Sequence, residues 1–172
     1  VVMWAIQRRR GFTIVELLIV IVIIAILAAI TIVAYNGIQQ RARDTRRVQD
    51  LGALSKATKL YAVDNGGDYA SANCGSTGNG WLTSDYDGAG PAVSINDCLL
   101  LRRHLSAALT DPSGASACSG LTCYAYMKGS CGTSAYYYAH LEGRAQTSTD
   151  LDGTCNDTYD TLYGMNYYVR VN

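Results

Sequence analysis

Hydrophobic positions fall into three patterns along this chain. From Leu17 to Ala34 every residue is apolar except Thr31, and Tyr35 extends the stretch to 19 residues. As a helix that stretch is about 28 Å long, enough to cross the hydrocarbon core of a bilayer. Ile and Val dominate it, which by propensity suggests a strand, but strands stop within about 4 to 8 residues, so length predicts a helix. No face of it is polar, and a helix apolar all round lies in lipid or among other helices. Beyond Gly37 the pattern becomes amphipathic: Val48, Leu51, Leu54, Thr58 and Tyr61 recur at spacings of three and four. This predicts a continued helix with one side free to pack on a sheet, ended by Asn65-Gly66-Gly67. The third pattern is a series of short Tyr- and Val-rich runs, Thr122 to Lys128, Ser134 to Glu142 and Tyr163 to Val171, which predict three strands with Gly129 and Gly132 at the first turn. Between these regions, Cys74 to Gly90 reads as a surface loop. Asn96 or Asp97 can cap a second helix through Leu109, whose end is marked by Asp111-Pro112. The expected class is α+β, with a long N-terminal helix, hydrophobic in its first half, packed on a C-terminal antiparallel sheet.

Charge changes this picture by giving the chain a polarity. The 14 Lys and Arg balance the 14 Asp and Glu, which excludes a generally basic, nucleic-acid-coating protein. Residues 1–10 nevertheless carry +3, residues 11–40 carry only Glu16, residues 41–63 carry +4 and residues 64–172 carry −6. All six cysteines and 14 of the 17 glycines lie beyond residue 63, so the two parts face different environments. Arg8, Arg9 and Arg10 on one side of the apolar run nearly balance Arg41, Arg43, Arg46 and Arg47 on the other, so the basic residues alone do not orient it. The cysteines do: they imply an oxidising compartment for the C-terminal part and leave the arginine-rich leader in the cytoplasm. A removable secretory signal cut near Ala28 or Ala29 is one alternative, but the apolar residues Ile30, Ile32, Val33 and Ala34 continue past that site. A plain uncleaved anchor is another. Both leave Glu16 unexplained.

Glu16 is the only charge between Gly11 and Arg41, at the edge of a lipid-compatible run where an ionised carboxylate needs a partner or water. No Lys or Arg lies closer in sequence than Arg10. Cutting the chain after Gly11 would place an α-ammonium on Phe12, one helical turn from Glu16. A helix can satisfy its own such pair or its neighbour's, and in the second case the chain polymerises.

The run Arg10-Gly11-Phe12-Thr13-Ile14-Val15-Glu16-Leu17-Leu18, followed by the long Ile/Val helix, resembles the class III signal of type IV pilins and the related type II secretion pseudopilins. The resemblance implies cleavage by a prepilin peptidase after Gly11, N-methylation of Phe12, and neutralisation by Glu16 of the Phe12 amine of an adjacent subunit during assembly. It further implies a structural rather than enzymatic role and a type IV pilin-like fold. The chain would be a single-pass cytoplasmic membrane protein with its C-terminal part outside, later drawn into an extracellular or periplasmic helical filament of like subunits by a pilus or secretion assembly platform. A pseudopilin, or a membrane-tethered binding domain, is the alternative. The implied parts are a leader over 1–11, a membrane and filament-core helix over 12–36, its amphipathic continuation over 37–64 and a disulfide-containing head over 65–172. Many members of the family have Gly and Pro where this chain has Ala25 and Val33. The nearest helix breaker is then Gly37, and a kink is expected there.

Several other residue groups invite a chemical reading. Sequential disulfide pairing, Cys74 with Cys98, Cys118 with Cys123 and Cys131 with Cys155, is the expectation, although sequence does not resolve it. Zinc is not expected, since no Cys-x-x-Cys pair occurs and His104 and His140 lack ligand-like spacing. No cofactor is expected; the acidic loop of Asp150, Asp152, Asn156, Asp157 and Asp160 reads as solvated, with calcium as its alternative, as in the heads of major pseudopilins. Tyr136, Tyr137 and Tyr138 suggest a stacking platform, but alternate residues of a strand face opposite ways, so at least one packs in the core. The cluster from Arg41 to Arg47 reads as a solvated helix face or subunit contact; nucleic acid is not the expected partner. Arg46 and Arg47 both stand at helical pairing distance from Asp50. Gly129-Ser130-Cys131-Gly132 is not a nucleophile elbow, and neither histidine has a recognisable acid partner, so no enzyme is expected.

Overall fold

The computed structural model describes residues 11–67, 80–83, 94–118, 120–121, 123–131, 134–145 and 158–171. It contains a long helix α1 (Ile14–Asp64), a two-residue strand β1 (Gly80–Trp81), a short helix α2 (Ile95–Leu101), strands β2 (Met127–Cys131) and β3 (Ser134–Ala139), a helical turn α3 (Thr158–Tyr163) and strand β4 (Tyr167–Val171). The class is α+β. By internal contacts the chain divides into residues 1–39 and residues 40–172.

In the N-terminal unit, Thr13 starts the helix. Its amide and hydroxyl donate to Glu16 Oε2, both at 2.8 Å, while the Glu16 amide donates to Thr13 Oγ1 at 3.2 Å. This reciprocal capping box satisfies donors that the first turn would otherwise leave bare. The one hydroxyl in the apolar run, Thr31 Oγ1, donates to the Leu27 carbonyl at 2.7 Å and so presents no unsatisfied group to an apolar surrounding. Helix α1 runs through Gly37 without a break, where the sequence led to the expectation of a kink.

In residues 40–172 the rest of α1 supplies an apolar stripe, Leu51, Leu54, Ala57, Thr58 and Tyr61, all buried. Val48, expected on that stripe, is 38% exposed. The stripe faces a four-stranded sheet in the order β1-β2-β3-β4, antiparallel throughout. Period-two alternation along β3 feeds two cores. Ala135, Tyr137 and Ala139 join the helix stripe and α2, whereas Tyr136 and Tyr138 pack with Trp81, Cys123, Met127 and Met165 on the other face. All three tyrosines are therefore interior. The Thr58 hydroxyl donates to the Leu54 carbonyl at 2.9 Å, so the 2.5 Å contact between Thr58 and Tyr137 has the phenol as donor. Burial pushes the Tyr137 pKa up, and the phenol serves as a neutral tie between helix and sheet.

Element ends differ from the sequence reading for local reasons. Helix α1 ends as expected at Asn65-Gly66-Gly67: Gly66 has φ +91°, and the Gly67 amide returns to the Ala62 carbonyl. Helix α2 is capped by Ser94, not Asn96 or Asp97, and stops at Leu101 rather than Leu109. Arg103 adopts φ +60° while His104 donates back to Leu99 O and Arg103 to Leu100 O, a C-terminal motif usually built with glycine. The buried Asn96 side chain then binds both backbone groups of Leu109, which holds that segment outside any helix. Strand β2 begins at Met127 instead of Thr122. Gly129, expected in the turn, lies within β2, where a Cβ would come within 2.6 Å of the Tyr159 ring. Strand β3 ends at Ala139 rather than Glu142, because Asn166 and Asp44 take the backbone groups of Leu141, Glu142 and Gly143. Strand β4 begins at Tyr167 rather than Tyr163. The preceding residues form α3, and Gly164, at φ +70° with Leu121 O 1.9 Å from where a Cβ would sit, turns the chain into the sheet. The short elements β1 and α3 carry too few residues to show a period.

Candidate functional site

The N-terminal site is built from Gly11 to Glu16 and the apolar helix behind it. Gly11 is exposed, and Phe12 presents 91% of its surface. From Ile14 to Ile32 the large apolar side chains are each at least 51% exposed. This part of α1 is long and apolar enough to cross a membrane, and none of it is buried among the described residues. Glu16 Oε2 takes both Thr13 donors, and Oε1 has no hydrogen bond among the described residues. The carboxylate is thus aimed by its own helix with one oxygen open. Thr13 was not singled out by the sequence reading, although the pattern Thr13-x-x-Glu16 ahead of an apolar run is the signature of a capping box. Arg8, Arg9 and Arg10 lie outside the described residues.

A second cluster lies at the base of the head. Arg47, expected to pair with Asp50, is fully buried and turns elsewhere. Its Nε and Nη2 donate to the two carboxylate oxygens of Asp111 at 2.6 and 3.1 Å, and Nη1 donates to Asp44 and Glu142, both at 2.8 Å. The guanidinium carbon sits 4.7 Å from the Tyr124 ring centre. Burial opposes the Arg47 charge, but the hydrogen bonds to Asp111, Glu142 and Asp44 outweigh it and raise the pKa above its ordinary value. Arg43 grips Glu142 with Nε and Nη2 at 2.7 and 2.5 Å. Chiefly through that bond, Glu142 is held down at about 2. Asp50 pairs with Arg46 at 3.7 Å as expected and also accepts from Tyr126 at 2.9 Å, while burial pushes its pKa up. The Arg41 to Arg47 cluster is therefore not a uniform solvated strip: Arg43, Arg46 and Arg47 are engaged with carboxylates. Such a network positions the helix on the head and offers no reacting group.

The remaining candidates are dispersed. Cys118 and Cys123 form a disulfide, and Cys98 is disulfide-bonded. Cys74, Cys155 and the side chain of Cys131 lie outside the described residues, as do Asp150, Asp152, Asn156, Asp157 and the side chain of Asp160. No group of metal-ligating side chains occurs among the described residues. His104, read as lacking an acid partner, has Nε2 3.5 Å from Asp64 Oδ2 and its ring edge-on to Tyr61. His140 Nδ1 lies 2.6 Å from the Gly164 carbonyl and its ring packs against Tyr124. The two histidines are thus held by different parts of the head.

The chain thus joins in sequence an exposed apolar helix, with an oriented acid at its start, to a disulfide-containing α+β head. The Prokaryotic N-terminal methylation motif matches residues 6–32. The chain is 41% identical over 59 residues to Type II secretion system core protein G of Klebsiella pneumoniae, covering 34% of this chain and 42% of that protein. It is 43% identical over 61 residues to Prepilin peptidase-dependent protein D of Escherichia coli, covering 36% and 42%. It is 44% identical over 59 residues to the Type IV wide pilus major component PilA4 of Thermus thermophilus, covering 34% and 45%. The aligned region thus spans about two-fifths of the length of these relatives. No solved structure matches the chain. Over its N-terminal segment the chain is thus similar both to a type II secretion core protein and to type IV pilus proteins.

Proposed function

We propose that this chain is a structural, non-enzymatic filament subunit: a prepilin inserted in the cytoplasmic membrane, cut by a prepilin peptidase after Gly11, methylated on Phe12 and assembled into a type IV pilus-like filament. The observation that carries this reading is the conjunction of an exposed Gly11-Phe12 bond, a Thr13-oriented Glu16 and a following apolar helix, the helix uncovered and one Glu16 oxygen open among the described residues. Cleavage turns the Phe12 amide into an ammonium and removes the basic leader. Polymerisation then moves the helix from lipid into a bundle of like helices, so that apolar surroundings are kept throughout while Glu16 and the neighbouring ammonium set the stagger. The head stands outside the cytoplasm, in keeping with the Cys118–Cys123 disulfide. Similarity to core protein G supports a second reading, a secretion pseudopilus, with the same processing and the same core helix.

Mass spectrometry of the mature protein tests the processing. The expected result is loss of residues 1–11 with one methyl group added to Phe12. An intact leader, or a cut near Ala28, would instead indicate a tethered or secreted domain.

A further inference from the structure

An open groove of about 700 Å³ runs along the first turns of the head's helix, lined by Arg41, Thr45, Val48 and Gln49 from α1 and by Leu141 and Arg144 from the turn after β3. Its charge is unbalanced. Arg43, Arg46 and Arg47 all have carboxylate partners, whereas Arg41 and Arg144 have none among the described residues. Asp44, also at the groove wall, is spent on Arg47 and on the amides of Glu142 and Gly143. The Thr45 hydroxyl is likewise spent, on the Arg41 carbonyl. The groove thus offers two open guanidinium groups beside the exposed Val48 and the half-buried Leu141.

Chain spacing fixes where such a site lies. Ile38 is the last apolar residue before Arg41 and is 65% exposed. Three helical residues, about 4.5 Å of rise, carry the helix from Ile38 to Arg41. The polar layer on each side of a bilayer's hydrocarbon is roughly 5 to 7 Å thick, so a helix immersed up to Ile38 holds Arg41 at headgroup depth. Two arginines at that depth suit a phosphate diester, and the apolar lining suits the glycerol and upper acyl carbons.

We propose that this groove is a docking site for an anionic phospholipid headgroup of the outer leaflet of the cytoplasmic membrane, held by Arg41 and Arg144. The site secures the head against the membrane before assembly and must release its lipid when the subunit leaves. The proposal rests on the membrane-spanning reading of α1.

The test uses the full-length chain in nanodiscs of phosphatidylcholine with phosphatidylglycerol as the minor lipid, followed by release and native mass spectrometry of retained lipid. Phosphatidylglycerol should be enriched on the protein above its share in the disc. Arg41→Gln and Arg144→Gln should each lower that enrichment by about fivefold at low salt, while Arg46→Gln leaves it unchanged. Both groove variants are exposed and break no bond in the fold. A retained-lipid ratio equal to that of the disc, or enrichment that survives in the double variant, would overturn the proposal. So would loss of a dimer in the double variant at constant lipid ratio, which would assign the groove to a second copy. Failure of the chain to enter the discs at all would instead strike at the membrane-spanning reading.

Discussion

Residues 14–38 and residues 47–62 belong to one helix but are solvated in opposite ways. In the first stretch the large apolar side chains that the structure describes are at least half exposed. In the second, Leu51, Leu54 and Tyr61 are buried, and so is a guanidinium, that of Arg47, at 0% exposure. Helix formation is common to both, so it explains neither. The difference lies in where partners come from. Arg47 finds Asp44, Asp111 and Glu142 within its own chain, and burying an ion with that many hydrogen bonds is tolerable. Ile19, Ile23 and Leu27 are each more than half exposed among the described residues, and in the proposed reading their cover is lipid or a like helix.

Substitutions should separate the two regimes. Arg47→Ala leaves buried Asp111 without its cation and should cost about 3 to 5 kcal/mol of head stability, read as a lower urea midpoint in detergent. Ile23→Ala should leave the same midpoint within about 0.5 kcal/mol. Equal losses would show that the two stretches are not differently solvated.

Acid should act on the head through Glu142. Its pKa in the fold is lowered from 4.5 to about 2, with Arg43 as the main cause. A carboxylate lowered on folding contributes stability that is complete above about pH 4.5 and is lost as pH falls towards 2. Glu142→Gln should therefore be less stable at neutral pH and flatten the stability profile across that window. An unchanged acid limb would remove Glu142 from the network. The smallest expected effect lies at the end of α2, where Arg103 occupies a left-handed position at φ +60°. Arg103→Gly should raise head stability by about 0.5 to 1 kcal/mol by relieving that conformation. A loss would mean that the Arg103 side chain matters more than its backbone.

The first stretch was legible in the sequence because its signal is compositional: an apolar run broken only by Thr31, with one acid ahead of it, needs no tertiary information. The tyrosine run was legible in part, since alternation along a strand implied that at least one of Tyr136, Tyr137 and Tyr138 packs inside, and the structure buries all three. Arg47 was misread, because Asp50 is a local partner at helical spacing while Asp111 and Glu142 lie 64 and 95 positions away. Local spacing names possible pairs, and the fold chooses among them. The early stop of α2 was hidden for a related reason: Asn96 looks like a cap in sequence, but its side chain serves the backbone of Leu109. At the N-terminal site, Gly11, Phe12 and Glu16 were readable as a motif. The spacing Thr13-x-x-Glu16 ahead of an apolar run carries the role of Thr13 as well.

In the proposed filament the uncovered half of α1 is covered by copies of itself, with Glu16 setting the register. Filament yield from cells expressing Glu16→Ala measures this most directly, with processing checked on the same sample. Cleavage after Gly11 should proceed much as in the parent chain, while filaments sheared from the cells fall well below the parent yield. Filaments of normal abundance from that variant would contradict the account.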